Sequence, residues 1–125
     1  MKALYVLIFI ALMPALGYAQ KAYETVIYRG TVQNMRVNFS LANGYPVGSY
    51  AVLLNYKVHK KQIFLAAADV NINGVLRLNK QADGSKTTDD YFIINGIQPS
   101  FNTPPGKLKA KYYTGGKDYS FILNK

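Results

Sequence analysis

The chain has 125 residues, half of them hydrophobic, no cysteine, and a formal net charge of +9. That length holds one domain able to bury its own core, and the missing cysteines exclude a small scaffold built on disulfides. The charge speaks to association with polyanions or acidic proteins rather than to fold.

Residues 1–19 have the layout of a secretory signal peptide. Lys2 supplies a positive start, Ala3 to Met13 are apolar, Pro14 breaks the run, and Gly17 and Ala19 are the small residues that precede a cut before Gln20. The run is shorter than the roughly 20 residues a membrane-spanning helix needs. With no cysteine to carry a lipid, the expectation is a periplasmic or secreted protein, not a lipoprotein. Residues 20–125 then form a single all-β domain, with 14 Lys and Arg against 6 Asp and Glu and a net charge of +8.

The first strand is predicted over Tyr23 to Gly30, rich in β-branched and aromatic residues. A turn at Val32 to Asn34 leads to Met35–Leu41, where Met35, Val37, Phe39 and Leu41 alternate with polar residues as in a half-buried strand. The Asn38-Phe39-Ser40 glycosylation sequon within it is read as coincidence. Asn43-Gly44, Pro46 and Gly48 form a turn cluster. From Ser49 to Val58, Tyr50, Val52, Leu54, Tyr56 and Val58 share one face, and Ala51 and Leu53 make the other face apolar too, which suggests a central strand. Strands follow at Gln62–Ala68, Val75–Lys80 and Tyr91–Gly96, with a ten-residue polar loop over 81–90. A second long loop holds three prolines. The last two strands are Lys107–Tyr113 and Asp118–Leu123, joined by a glycine turn at Thr114 to Lys117.

The result is about eight short antiparallel strands in an up-and-down meander, which hides its edges by closing as a small barrel or folding over as a sandwich. In Lys107–Tyr113 the strand period sets Lys107, Lys109, Lys111 and Tyr113 on one face and Leu108, Ala110 and Tyr112 on the core face. Such a lysine comb reads structurally as a guard against edge pairing. It also reads as a docking face.

Catalytic and metal chemistry find little support. Asp69, Asn71, Asn73 and Gly74 match the first half of a calcium loop, but Arg77 and Lys80 stand where the second half needs oxygen ligands; Asn73-Gly74 is better read as a hairpin turn. The single histidine, His59, lies among Lys57, Lys60 and Lys61 with no carboxylate nearby to orient it. Asp89 and Asp90 are consecutive and point apart. No cofactor, metal site or catalytic set is expected.

Aromatics interleave with the basic residues. Phe101, Tyr113, Lys109 and Lys111 are expected to form one patch, with Lys107 continuing it and Tyr45 exposed in the loop beside Pro46. The alternative for Phe101 is a cap over the end of the barrel. Nucleic acid is disfavoured as a partner, because an OB-fold has five strands and export removes the usual substrate.

At Tyr28–Gly30, Gly48–Tyr50, Leu76–Leu78 and Phe121–Leu123 the chain resembles small secreted bacterial meander proteins, among them periplasmic lysozyme inhibitors and immunity proteins. The resemblance implies a non-enzymatic protein that occludes another protein's active site. Ser49-Tyr50 departs from the Ser-Gly-x-x-Tyr of one inhibitor family, and that family is usually acidic, so no site residue is carried over. The basic charge suits an acidic partner instead, such as a secreted toxin or hydrolase. Two other readings stand beside this one. One is a small-ligand or lipid binder using the barrel interior, with Ala66, Ala68 and Ala110 leaving space or Phe39, Leu54, Phe64 and Phe121 filling it. The other is a module held by charge to an anionic envelope surface.

Overall fold

The computed structural model describes residues 23–81 and 90–125. The expected signal peptide and cleavage site, and most of the polar loop over 81–90, lie outside the described residues. Eight antiparallel strands form: β1 (Glu24–Val32), β2 (Met35–Asn43), β3 (Tyr50–Asn55), β4 (Lys60–Ala66), β5 (Leu76–Lys80), β6 (Tyr91–Ile94), β7 (Lys107–Thr114) and β8 (Lys117–Asn124). Each pairs with the next, and β8 returns to β1, so the meander closes as a barrel and not as a sandwich.

The tight turns follow from backbone chemistry. Gln33 and Asn34 both take positive φ, 49° and 63°, between β1 and β2, the conformation that lets a two-residue turn follow the twist of its strands. Gly115 and Gly116 do the same between β7 and β8. Strand β3 is shorter than expected. It stops at Asn55, whose side-chain oxygen accepts the Lys57 N–H at 3.1 Å, an Asx turn that takes the chain out of the sheet. Tyr56 and Val58 are therefore exposed turn residues, and the inward face of β3 is Ala51 and Leu53.

Alternate residues of every strand fill the interior. Tyr28, Phe39, Phe64 and Phe92 are fully buried, with Tyr112 and Phe121 nearly so. Phe92 sits among three rings, with centroids 4.6 Å from Phe64, 4.8 Å from Tyr112 and 5.9 Å from Phe121. Phe39, Phe64, Phe121 and Ala110 thus face inward as the sequence suggested, Ala66 is half-buried, and Ala68 is exposed in the loop after β4. Leu54 is half-buried on the outer face beside Val52.

Closure between β1 and β8 has the shortest ladder of the barrel. One residue pair, Arg29 with Asn124, bridges them. Gly30 lies beside it, facing inward. A Cβ there would stand 2.7 Å from the Ile122 carbonyl oxygen and 3.1 to 3.2 Å from the Phe121 and Leu123 side chains. The strands meet because position 30 carries no side chain.

Candidate functional site

The lysine comb forms on the outer face of β7, as its period requires. Lys107 and Lys109 are exposed and Lys111 is partly so. The register sets Lys107 beside Asn124, Lys109 beside Ile122 and Lys111 beside Ser120 of β8. Lys111 reaches diagonally along β8 to Asp118, with 3.8 Å between ammonium and carboxylate. Both groups are about half exposed, 43% and 53%, so the pair adds little stability. It does neutralise part of the comb and leaves Lys107 and Lys109 as its freer charges.

The edge-guarding reading does not hold for Lys109 and Lys111. From Lys109 to Tyr113 the strand is paired on both sides: β6 matches Tyr91–Ile94 against Tyr113–Ala110, the Asn95 N–H donates to the Lys109 carbonyl at 2.9 Å, and β8 pairs the length of β7. A closed barrel has no edge here to protect. Lys107 alone of the three lies beyond this pairing on the β6 side.

Tyr113 joins the comb, and it brings partners that the sequence did not show. Its ring stacks on Tyr91 with centroids 4.5 Å apart and planes 7° from parallel. The Arg77 guanidinium lies over the other face of this pair, 3.7 Å from the Tyr91 centroid, and its Nε donates to Asn79 Oδ1 at 2.8 Å. The contact is a close cation–π pair. Finding it required the β5–β6 register, which a loop as long as 81–90 conceals.

Phe101 and Tyr45 lie elsewhere, at the barrel end where β2 finishes and β7 begins. Phe101 is half-buried against the core. The Asn43 amide clamps its backbone: the Phe101 N–H donates to Asn43 Oδ1 at 2.7 Å, and Asn43 Nδ2 donates to the Phe101 carbonyl at 3.0 Å. Tyr45, two residues beyond that clamp, is 50% exposed. Its ring lies 5.7 Å from Tyr23 and so close over Gly48 that a Cβ there would meet it at 2.7 Å. Along β7 the distance from Lys107 to Tyr113 is about 20 Å at the usual strand rise. The six predicted residues therefore form two groups: the comb with Tyr113, and an end cap of Phe101 and Tyr45, with Lys107 nearest the cap.

Ile122, 43% exposed, forms an apolar ridge beside the comb with a groove on either flank. One, of about 270 Å³, runs between Lys109, Lys111, Asn95 and Ser120. The other, of about 600 Å³, opens over the β1–β8 seam and is lined by Arg29, Thr31, Arg36, Asn38 and Asn124. Around the barrel, Ile27, Tyr50 and Leu65 give the outer face a different, apolar character, each over 40% exposed.

Asp69, Asn71 and His59, weighed for other chemistry, are engaged in turns, and Asp89 lies outside the described residues. Asn71 Oδ1 accepts the N–H groups of Asn73 and Val75 at 2.9 and 3.0 Å, and Asp69 Oδ1 accepts that of Val70. His59 is an exposed turn residue with φ of 52°. Among the described residues no three His, Cys, Asp or Glu side chains gather as metal ligands would. Two phenols are perturbed. Burial raises the pKa of Tyr28, whose hydroxyl donates to the Pro105 carbonyl at 2.7 Å. Burial likewise raises that of Tyr112, partly opposed by a hydrogen bond with Thr114, while Asp90 adds to the rise.

Comparison of this chain with protein-family models, with curated proteins and with solved structures finds no match.

Proposed function

We propose that this is an exported, non-enzymatic binding protein of the inhibitor or immunity type, which covers an acidic surface of a protein partner with the outer face of β7 and β8. The observation that carries the reading is that Lys109 and Lys111 stand on a stretch paired on both sides, where no edge needs guarding, with Lys107 continuing the row. Around it lie the parts of a protein-binding surface. The ammonium groups steer an acidic partner. The Ile122 ridge offers apolar contact, and the Arg77–Tyr91–Tyr113 stack offers broad, pre-ordered aromatic area of the kind that anchors interfaces. Export rests on the pattern of residues 1–19. The rings packed along the barrel axis favour this outer surface over the interior as the place where a partner binds.

The test is a crosslinked pull-down of the tagged protein from its native envelope, beside the Lys107→Glu/Lys109→Glu variant. One stoichiometric acidic protein, lost with the variant, supports the reading. With that partner in hand, the variant is expected to associate about tenfold more slowly at low salt and to lose most of the salt dependence of association. Capture of the same protein by both forms removes the comb as the site. Absence of any specific partner in either sample removes the inhibitor reading.

A further inference from the structure

The groove over the seam has a chemistry of its own. Arg29 pairs with Asn38, and Thr31 with Arg36, so the two arginines are diagonal neighbours on one outer face. Diagonal Cβ atoms of this kind lie within about 7–8 Å, near enough for two guanidinium forks to reach one ligand. Neither arginine has a carboxylate partner among the described residues; Arg36 lies over the Tyr56 ring, 5.8 Å from its centroid, a contact that leaves its charge uncompensated. Thr31, Asn38 and Asn124 complete a polar lining that holds no acidic side chain.

We propose that the groove formed by Arg29, Arg36, Asn38, Thr31 and Asn124 is a binding site for a phosphoryl group. Two adjacent like charges repel unless something neutralises them. A phosphate monoester carries nearly two negative charges at neutral pH and presents the oxygens that a guanidinium fork engages in pairs. The groove's volume of about 600 Å³ admits a phosphate together with the organic group attached to it. The site adjoins the lysine comb at Asn124, the neighbour of Lys107, but its arginines lie on β1 and β2 and it does not depend on the protein-partner reading.

The experiment is a titration of the protein with inorganic phosphate and then pyrophosphate at constant ionic strength, followed by amide and arginine Nε–H resonances. Saturable shifts confined to Arg29, Thr31, Arg36, Asn38 and Asn124 are expected. Arg29→Gln and Arg36→Gln should each weaken binding about tenfold, while Lys109→Gln leaves it unchanged. Shifts that grow without saturating and spread over the β7 lysines mean only a diffuse ion atmosphere and overturn the site, as does equal binding by the arginine variants. The wild-type map decides the matter even if a variant folds poorly. Vesicles containing phosphatidic acid then separate two sources of the same chemistry. Co-sedimentation that is lost in the arginine variants assigns the phosphate to a lipid headgroup. Saturable pyrophosphate binding without vesicle binding assigns it to a soluble phosphate compound.

Discussion

Gly30 shows how much one missing side chain decides. Its inward direction is set by strand parity, since it shares a face with Tyr28 and Val32, and its neighbour across the seam is the Ile122 carbonyl. Because a backbone oxygen cannot rotate away, the 2.7 Å approach of a new Cβ must be relieved by moving β8. Gly30→Ala should therefore destabilise the barrel by about 2 kcal/mol, the cost of overpacking a tight core. For a domain of this size that lowers Tm by roughly 10 °C, which thermal unfolding followed by circular dichroism would measure. The glycine was visible in the sequence as part of Tyr28–Gly30, but nothing local marks it as a contact between the first strand and the last.

Among the elements, the long β6–β7 connection is held more firmly than its three prolines suggest. Asn43, the last residue of β2, exchanges two hydrogen bonds with the Phe101 backbone, and Tyr28 reaches the Pro105 carbonyl from inside the barrel. Asn43→Ala removes both Phe101 contacts and should cost about 1–2 kcal/mol, with faster amide exchange at Phe101 and no change at Tyr113. The strands themselves were largely legible, because each is bounded by residues with a physical reason to turn. The exception is informative. β3 is apolar on both faces, so periodicity alone extended it to Val58, while a single Asn55 side chain ended it. The comb on β7 was legible as a pattern and misread as a cause: Lys109 and Lys111 alternate with core residues as an edge strand would, but whether a strand has an edge depends on its neighbours. The Arg77–Tyr91–Tyr113 stack was invisible for the same reason, since it spans three strands joined by two long loops.

For the molecule as a whole, the aromatic interior sets its response to alkali. Burial holds the phenols of Tyr28 and Tyr112 above their ordinary pKa of 10.0. A raised value in the folded state means that the neutral phenol is favoured there. That contribution is complete below pH 10 and is lost as the pH rises through the folded-state values. Tm should accordingly fall as the pH climbs above about 10, and the fall should be shallower in Tyr28→Phe, which starts lower at pH 7 by about 1 kcal/mol for its lost hydrogen bond. Melting curves of both proteins across that range test the sign. Closure into a barrel was one of two outcomes that the strand pattern allowed. The choice between them rests on the meeting of β1 and β8, a contact between the first strand and the last that no window of sequence contains.

That seam also orders events in time. Every other strand pair joins consecutive segments, so the meander can zip up through contacts close in sequence, each needing little loop closure. Joining Arg29 to Asn124 instead encloses nearly the whole domain, and contacts of such separation form late when a chain folds. The seam should then be the last part made and the first part opened. The cost of Gly30→Ala should accordingly appear as a faster unfolding rate with the refolding rate nearly unchanged, so that one methyl group at the seam shortens the life of the closed barrel without slowing its assembly.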